Sequence, residues 1–262
     1  MNILYLNHYA GSPRHGMEYR PYYLAREWVQ AGHAVRILAA DYSHVRARQP
    51  DQAGSRHHEL IDGIDYHWYV TPSYTGNGLG RVKNIWSFLR QVWRDAGEIA
   101  RTFRPDIVIA SSTYPMDIWV AHRIVKLARQ QGVASRLVFE VHDLWPLSPI
   151  ELGGMSPSHP FIRLCQAAED YAYRHADVVV SMLPKVAGHM QQHGLDLRKL
   201  HIVPNGITLD EWQGESPPLR EDVAAHSRAC KQAGLQLVGY AGSHGTPNAL
   251  DVMLQAASLL RD

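Results

Sequence analysis

Residues 1–28 read MNILYLNHYAGSPRHGMEYRPYYLAREW: a short apolar run, a polar loop bounded by glycines, and then a helical pattern. The run Ile3–Leu6 lacks the alternation of a half-exposed strand, which indicates a strand buried on both faces. The loop lies between Gly11 and Gly16, and the pattern predicts a helix over about Tyr19–Ala31. A buried strand followed directly by a helix is the first half of a βαβ unit, so this stretch predicts a parallel α/β sheet.

The same alternation of apolar runs and helical patterns continues to about residue 203. We predict further strands at Val35–Ala39, Gly63–Tyr69, Asp106–Ala110, Arg136–Val141, Asp177–Ser181 and Leu200–Val203. We predict further helices at about Arg81–Phe103, Asp117–Gln131, Phe161–Arg174 and Pro184–His193. Alternation over this length predicts an α/β fold with a doubly wound, mostly parallel, Rossmann-like sheet.

The pattern changes after Asn205-Gly206. Residues 211–234 contain Pro217-Pro218 and many charges, which is typical of a linker. The stretch LQLVGYAG (235–242) then predicts a new strand, and the following residues predict a helix. We therefore expect one domain over residues 1–210, a linker over 211–234, and the first strand and helix of an incomplete second Rossmann-like unit over 235–262.

Composition excludes several classes of protein. A formal net charge of +1 over 262 residues gives no basic surface for nucleic acid. The two cysteines, Cys165 and Cys230, lie far apart in the sequence, so neither a disulfide framework nor a cysteine metal site is predicted. The N-terminus does not have the pattern of a secretory signal, and no apolar stretch reaches the ~20 residues that a membrane span needs. These features predict a cytoplasmic protein.

The glycine-bounded loop is the first candidate site. At the carboxyl end of a parallel strand, the following helix N-terminus offers free backbone N–H groups, which suit an anion such as phosphate. Gly11 and Gly16 would let a ligand approach the backbone, Arg14 and His15 would add donors, and Glu18 follows directly. The loop has neither the Walker pattern nor GxGxxG. An ordinary glycine turn is the alternative.

Three later stretches carry a resemblance to a known family. They are FEVHDLWP (139–146), AEDYAYRHADVVVSMLPKVAGHM (168–190) and KLHIVPNGITLDEW (199–212). Together they resemble the N-terminal, acceptor-side domain of GT-B glycosyltransferases of family 4. GMEYRPYYLAREWVQAGHAVRIL (16–38) and DLWP resemble a bacterial subgroup that assembles O-antigen and capsule, including transferases for N-acetyl-L-fucosamine-type sugars. The resemblance runs from Met1 to about Trp212 and resumes over Leu235–Leu260.

This resemblance implies a retaining enzyme that transfers a sugar from a nucleotide-sugar donor. The acceptor would be a glycan or a polyprenyl-diphosphate-linked glycan in the biosynthesis of cell-surface polysaccharide such as lipopolysaccharide. It implies no cofactor and no metal. The family's Glu-rich motif and most of its nucleotide contacts lie on the C-terminal domain, beyond Asp262, so we expect the present chain to be inactive alone.

The resemblance also implies roles for individual residues. His142 matches a histidine that contacts the transferred sugar, and Asp143 would orient it or bind hydroxyls, unless Asp143 only caps a turn. Gly11, Arg14, His15 and Gly16 match a loop that contacts the donor phosphate or the acceptor. Asn205 and Gly206 match a loop that enters the cleft, with a plain tight turn as the alternative. The segment Gly242, Ser243, His244 and Gly245 matches the donor diphosphate loop. We expect the first loop, His142 and Asn205 to line one cleft.

Three other groups have simpler interpretations. His189 and His193 have the i, i+4 spacing of zinc ligands, but no third ligand is evident in the sequence, which favours a solvated helix face. His57-His58 is predicted to lie in a polar loop. Trp86 and Trp93 lie seven residues apart on a helix edge with arginines. They either pack in the core or bring the protein to the inner face of the membrane as a peripheral contact.

Two rival functions stay open at this stage. A GT-B-shaped sugar-nucleotide epimerase would use similar glycine loops but would turn over its donor without an acceptor. A non-catalytic binding or scaffolding domain would turn over neither.

Overall fold

The computed structural model describes residues 1–16, 19–51, 56–76, 78–242, 244–245 and 248–260. The chain divides into two compact units, residues 1–205 and residues 206–262. The first unit contains the sheet. Its strands are, in chain order, β1 (Asn2–Leu6), β2 (Ala34–Ala40), β3 (Arg56–Ile61), β4 (Ile64–Tyr69), β5 (Ile107–Ala110), β6 (Arg136–Val141), β7 (Val178–Ser181) and β8 (Leu200–Ile202).

Helices follow most of the strands. Those of the first unit are α1 (Tyr19–Gln30), α2 (Leu79–Thr102), α3 (Asp117–Gln130), α4 (Leu147–Glu151), α5 (Pro160–His175) and α6 (Ala187–Gln192). Those of the second unit are α7 (Leu209–Gln213), α8 (Glu221–Gln232) and α9 (Leu250–Leu259).

The strands of the described residues form a single sheet in the order β3-β4-β2-β1-β5-β6-β7-β8. Only the β3–β4 pair is antiparallel, and every other pair is parallel. The direction of winding reverses at β1, because β2 lies on one side of it and β5 on the other. A crevice therefore opens at the carboxyl ends of β1 and β5, which is where open α/β sheets bind ligands.

Both faces of the sheet are covered by helices. Leu4 and Leu6 pack in a core with α2, α3 and α5, whereas Ile3 and Tyr5 pack on the opposite face with α1. All four side chains are at most 3% exposed. A leucine buried to this extent stabilises the fold by about 1.5–3 kcal/mol, which explains why the strands are continuous apolar runs. The predicted doubly wound α/β sheet is confirmed.

One strand of the first unit was not predicted. β3 has the sequence RHHELI, so His57 and His58 lie on a strand and their prediction as loop residues was wrong. β3 is the antiparallel edge strand, and Leu60 on it is 70% exposed, so the strand lacks the apolar run of a buried one. Asp62 and Gly63 join it to β4 with positive φ angles of 49° and 82°. An Asp-Gly pair in this conformation is the usual two-residue hairpin turn, and it was the available signal.

In the second unit, one predicted strand does not form and one helix was not predicted. Residues 235–240 form no strand, although LQLVGY predicts one. A strand needs a partner, and residues 206–262 contain no strand within their described part. Residues 211–234, predicted as a linker, contain helix α8. Its first turn carries Glu221 and Asp222, which favour the helix N-terminus, and none of its residues is buried.

Candidate active site

Three strand ends of the sheet bring polar residues to the crevice. Asn7 follows β1, Ser111 follows β5, and His142 follows β6. The Asn7 side chain donates from Nδ2 to the Ser111 carbonyl oxygen at 2.7 Å, and the backbone N–H of Ser111 donates to the Leu6 carbonyl at 2.9 Å. These contacts place the Ser111 hydroxyl beside His142, with 2.8 Å between Oγ and the ring Nε2.

Glu140 is the buried anion beneath this group. Its carboxylate oxygen Oε2 accepts hydrogen bonds from the hydroxyls of Tyr5 and Ser111, and His142 Nε2 lies 3.3 Å from the same oxygen. Burial by itself would raise the pKa of Glu140. The hydrogen bond and charge of His142, the charge of Arg20 and the Ser111 hydroxyl outweigh burial and lower the pKa to about 2. Glu140 is therefore ionised at neutral pH.

Arg20, at the start of α1, neutralises that anion. Its Nε and Nη2 donate to Glu140 Oε1 at 3.1 and 3.0 Å. The remaining donors reach the carbonyls of Val203 and Pro204, at 2.8 and 3.1 Å, and Asn205 Oδ1 at 3.0 Å. A guanidinium has five N–H donors, and all five have a partner here. Arg20 thus ties β6 to the segment that follows β8 and has no donor left for a substrate.

The hydrogen bonds also determine the tautomer of His142. The Ser111 hydroxyl has a single hydrogen, and its 2.6 Å contact with the ionised Glu140 uses it. The 2.8 Å contact with His142 therefore requires the ring proton on Nε2. Within the described residues the ring's Nδ1 has no hydrogen-bond partner, so it is available to a ligand. These contacts hold the His142 ring in one orientation, and its side chain is 12% exposed.

The open space next to His142 is small. A narrow cleft of ≈ 10 Å³ is lined by His142, Asp143, Trp145 and Glu169, among others. This is room for about one water molecule, so a larger ligand would lie over the cleft rather than inside it. Asp143 is exposed and lies in the turn before α4. Its Oδ1 accepts a hydrogen bond from the hydroxyl of Ser148 in α4. This contact joins two side chains and does not cap the helix, since the N-cap residue of α4 is Pro146 and has no side-chain cap hydrogen bond.

The second half of the glycine loop lies at a different cavity. Residues Pro13–Gly16 line a space of ≈ 790 Å³ together with residues 47–49, Asp51 and the β3 residues 57–59. Ser12 shapes the turn, because its carbonyl accepts from the backbone N–H groups of His15 and Gly16 at 3.0 and 2.8 Å. Glu59 lies 3.3 Å from Arg14 and 3.4 Å from His15, which draws both side chains toward β3.

Gly16 provides a stability test of this turn. Its φ is +72°, and an added Cβ would lie 3.1 Å from the Ala47 side chain. Because an L-residue in this conformation is strained by roughly 1–2 kcal/mol, we expect Gly16→Ala to destabilise the domain by at least that amount in urea denaturation. Gly97→Ala is the matched control. Gly97 lies in α2 with open space around it, so alanine there should stabilise by about 1 kcal/mol. Equal stability of the two variants would contradict the argument.

The candidate residues are thus only partly brought together. His142, Asp143 and Asn205 belong to the crevice, since Arg20 and Glu140 connect Asn205 to His142. Arg14, His15 and Gly16 lie at the second cavity, and the Gly11 carbonyl accepts from Tyr66 at 2.9 Å. Exposed positions of the second unit hold Gly206, Gly242, His244 and Gly245, whereas Glu18 and Ser243 lie outside the described residues.

Sequence analysis did not nominate Arg20, Ser111 or Glu140. The sequence placed Glu140 beside a strand end but gave it no partner. The available signal was Glu140 itself, a single acidic residue within the apolar run 137–141. A buried carboxylate needs a cation or several hydrogen-bond donors, so it indicates that such partners lie nearby.

Comparison with known proteins places the chain in a family. A family model described as a glycosyl transferase 4-like domain matches residues 15–206. The comparison with curated protein sequences gave no match.

Solved structures resemble the chain at low identity. HepE of Anabaena, in complex with UDP and glucose, is 17% identical over 89% of this chain and 50% of that one, with a TM-score of 0.47. A sucrose-phosphate synthase of Thermosynechococcus elongatus is 10% identical over 88% of this chain and 98% of that one, with a TM-score of 0.49. A glycosyltransferase of Rickettsia africae is 13% identical over 90% of this chain and 50% of that one, with a TM-score of 0.44. The chain spans about half the length of HepE and of the Rickettsia protein. Because the family model covers most of the sequence, the chain belongs to the glycosyl transferase 4-like domain family.

Proposed function

We propose that this domain is the acceptor side of a retaining glycosyltransferase. The donor is a nucleotide sugar, and the acceptor is a glycan or a polyprenyl-diphosphate-linked glycan of cell-surface polysaccharide. Within that class we propose the O-antigen and capsule subgroup, which includes transferases for N-acetyl-L-fucosamine-type sugars. Family membership supports the general class. The observation that carries the proposal is His142, which stands oriented at the switch point of the sheet with Nδ1 available.

His142 suits a role in binding and stabilisation rather than in nucleophilic attack. Its Nε2 proton is committed to Ser111, and Nδ1 can accept a hydrogen bond from a hydroxyl of the transferred sugar. Transfer with retention requires that the acceptor oxygen form its bond on the face from which the diphosphate departs. We propose that the departing diphosphate takes the proton of the acceptor hydroxyl, and that backbone N–H groups stabilise its charge without a metal in the transfer step.

The donor half of the reaction is proposed to use residues of the second unit. The chain spans about half of HepE, and we propose that Gly242–Gly245 belongs to the diphosphate loop of the complete protein. On this proposal the present chain alone turns over no donor.

A transfer assay on the complete gene product tests the proposal. Nucleotide sugars of several bases are incubated with and without an oligosaccharide or polyprenyl-diphosphate acceptor, and both the product and its anomeric configuration are determined. We expect a new glycosidic bond only when the acceptor is present, with the donor's configuration retained. Conversion of donor to an isomer without an acceptor would identify an epimerase. Activity lost in EDTA and restored by Mn²⁺ or Mg²⁺ would contradict a metal-free transfer step.

Helix α2 bears a surface that fits an anionic membrane. Trp86 and Trp93 are 45% and 43% exposed, so they do not pack in the core as one interpretation predicted. Lys83, Arg90 and Arg94 are exposed on the same side, whereas the opposite side of α2 is buried against the sheet. None of the described helices is both long and apolar enough to span a membrane. We propose a peripheral contact in which the indole rings enter the interface beside basic residues.

Vesicle flotation with phosphatidylglycerol liposomes measures this contact. Each basic residue near an anionic surface contributes about 1 kcal/mol, so Arg90→Gln/Arg94→Gln should weaken binding by roughly thirtyfold. Trp86→Ala/Trp93→Ala should also weaken binding. Trp212→Ala is the control, since that tryptophan is 74% exposed but lies in the second unit. Binding that does not change in either double variant would remove α2 from the membrane contact.

A further inference from the structure

A cluster of metal-ligand side chains lies between α5 and α6. Glu169 belongs to α5, His189 to α6, and His193 is the residue that ends α6. One ligand atom from each of the three lies within 4.8 Å of the other two. His189 Nε2 is 3.3 Å from Glu169 Oε1. The third potential ligand was missed in the sequence because Glu169 lies on a different helix, twenty positions before His189.

These distances suit a tetrahedral cation. Zn²⁺ binds imidazole nitrogen and carboxylate oxygen at about 2.0–2.2 Å, so two of its ligands stand about 3.4 Å apart. The pair formed by His189 and Glu169 already has this separation. Two histidines and one glutamate are a common zinc ligand set, with water in the fourth position.

Neighbouring side chains orient the proposed ligands. Tyr173 donates to Glu169 Oε1 at 2.9 Å, and the carboxylate is 2% exposed. Asp170 Oδ1 lies 3.2 Å from His193 Nδ1, which is the carboxylate–histidine contact that supports a metal ligand bound through the other ring nitrogen. Gln166 Nε2 contacts Glu169, Asp170 and His193 at 2.9, 2.7 and 2.8 Å. An amide nitrogen has two hydrogens, so one of these contacts can be given up without loss.

Charge also favours this cluster over the other one in the described residues. The second group consists of His58, Asp65 and His67, and there Arg36 donates to Asp65 at 2.7 Å. A cation at that site would have to displace a guanidinium. Among the described residues, the ion pairs of Glu169 and Asp170 are with His189 and His193 respectively.

We propose that Glu169, His189 and His193 bind one divalent transition-metal ion of the Zn²⁺ class. The ion joins α5 to α6 and keeps its fourth coordination position for water. Glu169 also lines the narrow cleft beside His142, but no step of the transfer is assigned to the ion, and the inference does not depend on the proposed glycosyltransferase activity.

Calorimetric titration of the intact chain with Zn²⁺, after removal of any histidine tag and of bound metal, tests the site. Co²⁺ titration gives a second readout, because tetrahedral Co²⁺ has an intense visible absorption. We expect one high-affinity ion per chain with that spectrum. His189→Ala and His193→Ala should each weaken binding by at least about 100-fold, and Asp170→Asn by about 10–100-fold. His58→Ala, from the other cluster, should leave the affinity unchanged.

Folding of each variant is checked by circular dichroism. His193→Asn serves if an alanine variant does not fold, because His193 is partly exposed and asparagine keeps a polar group there. The proposal is overturned if the wild-type chain binds no Zn²⁺, or if folded His189 and His193 variants bind it as tightly as the wild type. An octahedral Co²⁺ spectrum would contradict the proposed tetrahedral geometry.

Discussion

Arg20→Ala is expected to destabilise the first unit by about 3–5 kcal/mol, the usual cost of removing one partner of a buried ion pair. The side chains of Arg20 and Glu140 are 9% and 5% exposed, so the loss leaves an anion without its cation in a nearly dry environment. The same substitution removes the donors to the carbonyls of Val203 and Pro204. We therefore expect unfolding at a much lower urea concentration than for the wild type.

An exposed pair provides the control for this prediction. Arg198 pairs with Asp196 at 2.6 Å, but its side chain is 90% exposed. Water and salt screen an ion pair on the surface, so Arg198→Ala should have only a small effect on the stability of the first unit. The loss of stability in Arg20→Lys should lie between those of Arg20→Ala and Arg198→Ala, since lysine keeps the charge but lacks the five N–H donors of the guanidinium. Similar losses for Arg20→Ala and Arg198→Ala would contradict the assignment of Arg20 as the residue that neutralises Glu140.

The pH dependence of stability gives an independent readout of the same pair. The pKa of Glu140 is about 2 in the folded protein, against 4.5 for an ordinary glutamate. A lowered folded-state pKa stabilises the fold at pH values above the unfolded pKa, and this contribution is lost as the pH falls from about 4.5 to about 2. Arg20→Ala raises the folded-state pKa toward the ordinary value. The variant should therefore lose less stability than the wild type over that interval.

If the proposed function holds, His142→Ala is expected to lower turnover in the transfer assay by roughly ten- to a thousandfold, a loss of ~1.4–4 kcal/mol of transition-state stabilisation. The reason is that the imidazole is oriented by Ser111 and Glu140 toward the position proposed for the transferred sugar. Because the ring is at the edge of the crevice, the domain should remain folded. Initial rates with saturating donor and acceptor measure the effect, and urea denaturation confirms the fold.

Two further variants separate a direct role of His142 from a structural one. Ser111→Ala leaves the imidazole in place but removes the acceptor of its Nε2 proton, so a smaller loss in turnover is expected. His201 is exposed on β8, and His201→Ala should leave turnover unchanged. A His142→Ala enzyme with wild-type turnover would remove the residue from the proposed reaction. A loss that accompanies unfolding of the domain would assign it a structural role instead.

The parallel sheet could be predicted from sequence because its signal is local. A strand such as β5 is covered by helices on both faces, so all of its residues are apolar whatever their distant neighbours are. β3 escaped prediction because an edge strand is covered less completely and so carries no apolar run. The stretch 235–240 has the apolar run but forms no strand, since strand formation depends on a pairing partner as well as on composition.

The candidate site could be predicted only in part, for a different reason. His142 was found because it matches a short segment of a known family, and that information is contained in neighbouring residues. The sequence did not link Arg20 to Glu140 or to Asn205, because these residues lie 120 and 185 positions after Arg20 along the chain. Their association results from the order of the strands, which brings the start of α1, the end of β6 and the segment after β8 to one edge.

The sequence by itself therefore determined the α/β class, most of the strands and helices of residues 1–205, and the family to which the chain belongs. Only the tertiary structure decided which polar residues meet. It joined Asn205 to His142 through Arg20 and Glu140, and it placed Arg14 and His15 at a separate cavity beside β3. It also brought Glu169 to His189 and His193. Hydrophobic periodicity is a property of each segment, whereas hydrogen bonds and ion pairs between distant residues depend on how the segments pack.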